Sequence, residues 1–133
     1  MLKTVAGFLN AQGDTLLIGV NDAGEAIGLA NDYRTLKSGK QNRDGFELWL
    51  MGDLLLKELG NDLAPTIAIT FHLLNGQDIC KVTVNPAPHE VFVILKDRNG
   101  QSKKCFFIRA GNSTRSLDDP SELISYIRDR WKS

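Results

Sequence analysis

The feature that most constrains the fold is a two-residue turn, Asn75-Gly76, between two apolar runs at 66–74 and 77–84. Asn-Gly is the favoured loop of a two-residue β-hairpin, and such a loop fixes the register of the two strands. With this loop in place, Phe71 lies opposite Cys80, and the apolar residues of the two strands meet on one face. The sequence therefore predicts an antiparallel hairpin with one buried face.

The rest of the chain alternates between strand and helix signals. Apolar runs indicate further strands, at 15–20, 26–29, 91–95 and 104–108. The first and the last two of these are apolar on both faces, which is typical of strands covered on both sides. Helical periodicity predicts three helices, at 1–11, 44–59 and 120–131, the last burying Leu123, Ile124, Ile127 and Trp131. Asp44 and Asp119 each precede a glutamate by three residues, so we expect both to be helix N-caps.

Charge is balanced over the chain and uneven within it. The 133 residues, enough for one domain (1–133), contain sixteen basic and sixteen acidic side chains. A net charge of zero argues against binding to DNA or to a membrane by electrostatic attraction alone. Residues 96–115, however, hold six basic side chains and one acid. We therefore look for an anion site within this basic segment, which includes Lys103 and Lys104.

A small polar turn ends the basic segment. Gly111, Asn112, Ser113 and Thr114 offer backbone N–H groups, hydroxyls and an amide, with Arg109 and Arg115 on either side. Such a turn suits phosphate, which arginine binds in bidentate fashion. We predict that both arginines point toward this turn and contact the phosphate backbone of DNA or RNA. The alternatives are that the arginines are merely solvated, or that Arg109 is buried and pairs with an acid such as Glu122.

A second group of basic residues lies in the polar stretch 30–43. Lys37, Lys40 and Arg43 follow Arg34 at every third residue. A charge run of this kind is either a solvated surface or a mobile arm that touches phosphate. We keep Lys37, Lys40 and Arg43 as secondary candidates for nucleic-acid contact.

No metal, cofactor or membrane partner is predicted. Cys80 and Cys105 lack the spacing of zinc ligands, and the glycines fit neither a dinucleotide loop nor a P-loop. A disulfide would require the two cysteine strands to be neighbours. The sequence has no signal peptide and no apolar run of membrane-spanning length, so we expect a cytoplasmic protein.

Two segments together resemble the Schlafen/AlbA-type DNA-binding domain family. That family has a helix ending in a Phe-x-Asn pattern, a glycine turn, a "GV-D-D/N-x-G" segment and, later, an "F/Y-x-R-x-G-N-S-T" segment. The matching residues are Phe8-Leu9-Asn10, Gly13, Gly19–Gly24, Gly28 and Phe107–Thr114. The resemblance implies an α/β (α+β) fold, with a mixed, mostly antiparallel sheet and about three helices packed on it. Asn10 and Gly13 join the secondary candidates.

The resemblance also bears on activity. Nuclease members carry an acidic stretch upstream of the matched region, and this chain starts after it, so we expect a fragment of a longer protein. Asp22 matches the aspartate that completes their site, but its two carboxylate partners are absent. We therefore predict no catalytic residue, with Asp22 as the one weak candidate, and no cleavage by this chain alone.

The function that the resemblance favours is nucleic-acid binding, weak in this chain alone, within a larger bacterial regulatory or defence protein. A remnant or part of a metal-dependent nuclease is the alternative. A dimerisation domain is a further alternative, since loss of the family's first strand would expose a sheet edge that a second copy could cover.

Overall fold

The structure, a computed structural model, describes residues 1–132 of the chain. In chain order the elements are α1 Leu2–Leu9, β1 Asp14–Ile18, α2 Ala30–Arg34, α3 Arg43–Leu48, a π-helical segment Trp49–Leu56, α4 Lys57–Leu59, a 3₁₀ helix Asn61–Thr66, β2 Ile67–Leu74, β3 Gln77–Val84, β4 Phe92–Lys96, β5 Ser102–Ala110, β6 Ser113–Ser116 and α5 Pro120–Arg130. Within the described residues, no helix has the length and apolar character needed to cross a bilayer.

The predicted α+β class is confirmed, and the strands form two sheets. Both sheets have three strands, in the orders β1-β3-β2 and β4-β5-β6, and all pairings are antiparallel. Cys80 and Cys105 fall in different sheets and are free thiols. The two-sheet division follows from the break at Pro86 and Pro88, which ends the first sheet before β4 begins.

The β2–β3 hairpin has the predicted register. Phe71 pairs with Cys80, and Ile69 pairs with Val82. Asn75 and Gly76 both have positive φ, at 53° and 75°, which is the conformation of a type I′ turn. The inner face of this sheet contributes to the larger hydrophobic core, which we call the first core. Residues of α1 and of the helical run 43–59 complete this core.

Strand β5 is the centre of the second sheet and is covered on both faces, as predicted. Successive strand residues face opposite sides, so Phe107 packs with Ala6 of α1 while Phe106 packs with Tyr126 and Trp131 near the chain's end. The sequence also predicted that β4 is covered on both faces, but β4 is an edge strand and its Ile94 is exposed.

Strand β1 departs from the sequence prediction. It was expected to be covered on both faces, but it is an edge strand whose outward side chains are exposed, Leu17 among them. Its inward residues, Leu16 and Ile18, pack on the first core. The apolar run of β1 therefore has one face buried in the core and one face exposed to solvent.

The helical run 43–59 begins at a different cap from the one predicted. Asn42, not Asp44, is the N-cap, and its side-chain oxygen accepts a 2.8 Å hydrogen bond from the amide of Gly45. In the last helix the predicted cap is correct, since the carboxylate of Asp119 accepts from the amide of Glu122. There Ile124, expected to be buried, is exposed to solvent.

Asn10 connects α1 to β5 and to Val91, the residue before β4. Its side-chain amide donates 2.8 Å hydrogen bonds to the carbonyls of Val91 and Phe107, and its side-chain oxygen accepts one of 2.9 Å from the amide of Val91. The residue is fully buried. Because every polar atom of the side chain has a partner, burial of the amide does not cost the free energy of an unmet hydrogen bond.

A histidine–aspartate pair joins the 3₁₀ helix to the segment before β4. Nε2 of His89 lies 2.5 Å from Oδ2 of Asp62, and Nδ1 lies 2.8 Å from the carbonyl oxygen of Glu90. Both ring nitrogens therefore face acceptors, and only the protonated imidazolium can donate to both. The hydrogen bond to Asp62 raises the pKa of His89, and the bond to His89 lowers the pKa of the Asp62 carboxyl.

This pair predicts a pH-dependent increment of stability. The His89 contribution is complete below the ordinary histidine pKa of about 6.5 and is lost as pH rises through the higher folded-state value. The Asp62 contribution is complete above the ordinary aspartate pKa of about 3.9 and is lost as pH falls. We expect wild-type Tm to fall more than that of His89→Gln between about pH 6 and pH 8.5. His72→Gln is the control and should keep the wild-type pH dependence; equal curves for all three proteins would contradict the prediction.

Candidate functional site

A polar cleft of about 500 Å³ lies where the α1–β1 loop, the β5–β6 turn and α5 meet. These elements are far apart in the sequence, and the fold brings them together around α1. The residues lining the cleft are Ala11, Gln12, Gly13, Asp14, Arg109, Gly111, Tyr126 and Arg130. Three of them, Gly13, Arg109 and Gly111, are among the predicted site residues.

Gly13 shapes the first wall of the cleft. Its φ of +77° lies in the left-handed region, which favours glycine. A Cβ here would come within 2.3 Å of the carbonyl oxygen of Val84. The glycine is therefore required for the close approach of this loop to the end of β3.

Arg109 is half-buried at the second wall. Its Nη1 donates a 3.0 Å hydrogen bond to the hydroxyl of Thr114, and its guanidinium lies 5.2 Å from the ring centroid of Phe8. Within the described residues, its Nε is buried without a hydrogen-bond partner. Pairing of Arg109 with an acid such as Glu122 is not observed among residues 1–132.

The turn after β5 is shorter than the sequence suggested. Gly111 and Asn112 alone form it, with Gly111 at a φ of +63°, while Ser113 and Thr114 begin strand β6. Small polar residues favour turns, but here Ser113 and Thr114 pair with the free edge of β5 and so form a strand.

This hairpin separates the two arginines that were expected to converge. Arg109 pairs with Thr114, and Ile108 pairs with Arg115. Directly opposed residues share a face and successive residues alternate. Arg109 therefore lies on the α1 side of the sheet and Arg115 on the α5 side, so the prediction that both point toward the same turn is wrong.

Helix α5 supplies the third wall, with two residues that the sequence analysis did not select. The hydroxyl of Tyr126 donates to the carbonyl of Asn10, and the guanidinium of Arg130 donates to the carbonyl of Ala11. Burial raises the pKa of the Tyr126 phenol, which keeps it a donor. The i, i+4 spacing of Tyr126 and Arg130 on one helix face is the sequence signal that could have found them.

The other basic candidates lie apart from the cleft. Lys103 and Lys104 are consecutive strand residues on opposite faces, and Nζ of Lys104 lies 5.6 Å from the ring centroid of Phe92. Lys37 and Lys40 line a different cavity.

Arg43 and Asn10 already have structural partners. The guanidinium of Arg43 is 2.6 Å from the carboxylate of Asp78, whose other oxygen accepts from the hydroxyl of Tyr33 at 2.7 Å. The hydrogen bond from Arg43 lowers the pKa of Asp78. Arg43 therefore fixes the 30–43 segment onto β3 and is not part of a mobile arm. Asn10 is buried and its amide is fully hydrogen-bonded, so it acts as a support beneath the cleft.

Asp22 lies in an exposed turn after β1. The neighbouring Asn21 organises this turn by accepting hydrogen bonds from the amides of Ala23 and Glu25. Across residues 1–132, no three histidine, cysteine, aspartate or glutamate side chains cluster in a way that could hold a metal ion.

Comparison with protein families decides the assignment. A family model described as "Schlafen, AlbA_2" matches residues 1–118. The chain belongs to the Schlafen AlbA_2 family. The matched residues include two walls of the cleft, from the α1–β1 loop and the β5–β6 hairpin. The AlbA_2 match ends before α5, so Tyr126 and Arg130 lie beyond it.

A solved structure supports the AlbA_2 fold. The chain is similar to the DIP2311 protein from Corynebacterium diphtheriae, with a TM-score of 0.55 and 22% sequence identity. The similarity covers 97% of this chain and 21% of that one, so the chain spans about a fifth of that protein. At this identity the likeness concerns the fold alone. A search of curated proteins finds no match.

Proposed function

We propose that the cleft binds a phosphate of a nucleic-acid backbone, through Arg109 on the second wall and Arg130 on the third. The observation that carries this proposal is the convergence of two arginines that form no ion pair within residues 1–132. Arginine presents a planar fork of N–H donors that matches phosphate oxygens. Asp14 brings one carboxylate to the rim, so the lining residues carry a net charge of +1.

The backbone around the cleft favours the same ligand. Gly111 leaves the main chain of the β5–β6 turn uncovered by a side chain, and main-chain N–H groups in such turns bind anions. The N–H of Gly13 donates to the carbonyl of Phe8 at 2.9 Å, so Gly13 shapes the loop and is not itself a donor to the ligand. The guanidinium of Arg109 rests on Phe8 and bonds to Thr114, which fixes its orientation before any ligand arrives. A preoriented guanidinium loses less conformational entropy on binding than a free one.

The proposal predicts weak, sequence-tolerant binding. Phosphate contacts fix position and carry no base information, and a zero net charge limits long-range attraction. On duplex DNA the log of the binding constant should fall with the log of the salt concentration, by about 0.9 per phosphate neutralised. As part of the proposal, the module serves a larger bacterial regulatory protein in the cytoplasm. Its coverage of only 21% of the DIP2311 chain supports the idea that the fold occurs within longer chains.

Arginine substitutions test the proposal. In fluorescence anisotropy with a labelled duplex and a labelled single strand, Arg109→Ala and Arg130→Ala should each weaken binding on unrelated sequences. Each should also reduce the magnitude of the salt slope by about one unit if it contacts one phosphate. Arg109→Lys keeps the charge but loses the planar fork, so it should be weaker than wild type.

Two control variants make the result specific. Arg128 lies exposed on the same helix as Arg130, and Arg115 lies on the opposite face of the sheet from Arg109. Alanine at either position should leave affinity and slope nearly unchanged. If Arg109→Ala and Arg130→Ala keep wild-type affinity and slope while their melting curves show a folded protein, the cleft is not the binding site.

A further inference from the structure

A second cavity, of about 490 Å³, lies between the α2–α3 loop and the helical run 43–59. It shares no lining residue with the cleft and is independent of the proposed function. Leu36, Leu48 and Trp49 supply apolar surface, while Lys37, Lys40 and Asp53 supply charge. This volume and mixture are typical of sites that take a small organic molecule.

The loop wall of this cavity is built and braced. A Cβ on Gly45 would come within 1.8 Å of the carbonyl oxygen of Lys40, so the loop lies directly on the helix where glycine permits it. The amide of Lys40 donates to the carbonyl of Lys37 at 2.9 Å, and the side chain of Gln41 donates to the carbonyl of Leu36 at 3.0 Å. Contacts within the chain therefore hold the loop in place at this wall.

The helix wall leaves apolar groups uncovered. Leu48 is 62% exposed, although Phe46, two residues earlier in the same helix, is buried. The ring of Trp49 is held by Phe46 at a centroid distance of 5.6 Å and remains half-buried. From Trp49 onward the helix is π-wound, a rare conformation that occurs frequently at functional sites.

The charges around the cavity select the sign of the ligand. Lys37 and Lys40 outnumber Asp53, so the lining residues carry a net charge of +1 beside an apolar wall. We infer that this cavity binds a small molecule with an aromatic or branched apolar body and one acidic group. The apolar body lies against Trp49 and Leu48, and the acidic group lies near the two lysines.

A pair of fluorescent probes tests this inference. 8-Anilinonaphthalene-1-sulfonate has an aromatic body and one anionic group, and N-phenyl-1-naphthylamine has nearly the same body without the charge. The full chain should bind the anionic probe saturably, with energy transfer from Trp49 that persists in a Trp131→Phe background.

Leu48→Glu should weaken binding of the anionic probe by about tenfold or more, since it places a like charge against the ligand. Replacing both Lys37 and Lys40 with alanine should weaken the anionic probe by about fivefold and leave the neutral one unchanged.

Ile124→Glu is the matched control, because Ile124 is a helical residue with 61% exposure on α5. It should bind both probes as wild type does, and thermal melts should show that all variants are folded. Equal weakening by Leu48→Glu and Ile124→Glu would overturn the inference. So would a lysine variant that loses both probes alike, or the absence of saturable binding.

Discussion

The Asn10→Ala variant should lose about 3–5 kcal/mol of its free energy of unfolding. Three buried main-chain groups, the carbonyls of Val91 and Phe107 and the amide of Val91, would lose their partner. Each unmet buried group costs about 1–3 kcal/mol, and a methyl group cannot replace the amide. Urea denaturation followed by circular dichroism measures the change.

A surface asparagine serves as the control for this variant. Asn31 is exposed, and its side-chain oxygen accepts a 3.2 Å hydrogen bond from the guanidinium of Arg34. Asn31→Ala should therefore change the free energy of unfolding by less than about 0.5 kcal/mol. A loss below about 1 kcal/mol for Asn10→Ala would show that water or relaxation of the strands replaces its hydrogen bonds.

Phe106→Ala should also cost about 3–5 kcal/mol, as for a fully buried phenylalanine. The side chain is 2% exposed and touches the rings of Phe92, Tyr126 and Trp131, so its removal leaves a cavity beneath α5. Because two of these rings belong to the C-terminal segment, the variant should also shift the emission of Trp131 toward that of exposed tryptophan. The measurement uses a Trp49→Phe background, in which Trp131 is the remaining tryptophan of the chain and gives all of the tryptophan emission.

Phe92→Ala provides the graded comparison. Phe92 lies on the edge strand β4 and is half-buried, so its removal should cost less than the loss of Phe106. If Phe106→Ala unfolds with wild-type midpoint and slope, the aromatic cluster does not hold α5 on the sheet.

Local signals account for the parts of the fold that were predicted correctly. The Asn75-Gly76 turn fixes its own register, and Asp119 with Pro120 starts α5 through contacts within one helical turn. The wrong N-cap at Asp44 shows the limit of such local signals. Asn42 and Asp44 are both residue types that favour N-caps, and the helix begins where Gly45 lies against the carbonyl of Lys40 in the preceding loop.

Contacts between residues far apart in the sequence could not be predicted from such local signals. Ser113 and Thr114 form a strand only because β5 offers an edge, and that pairing sends Arg115 to the face opposite Arg109. A shift of one residue in strand register moves every side chain of the strand to the opposite face. The sequence could therefore identify Arg109 and Gly111 by type, but it could not place them in relation to each other.

The contribution of α5 was missed for a related reason. Tyr126 and Arg130 reach the carbonyls of Asn10 and Ala11, which are 116 and 119 residues away along the chain. Pattern analysis treats such residues as the polar or aromatic side of a terminal helix. Only the packing of the second sheet between α1 and α5 shows that they complete the cleft.

The position of α5 has a practical consequence for anyone trimming this domain. A gene cut at the limit of the family match, residue 118, would encode the β5–β6 hairpin but not the helix that covers Phe106. The shortened product would expose an aromatic surface and lose one wall of its cleft, so it would be prone to self-association. A negative binding result from such a product would describe the truncation and not the domain.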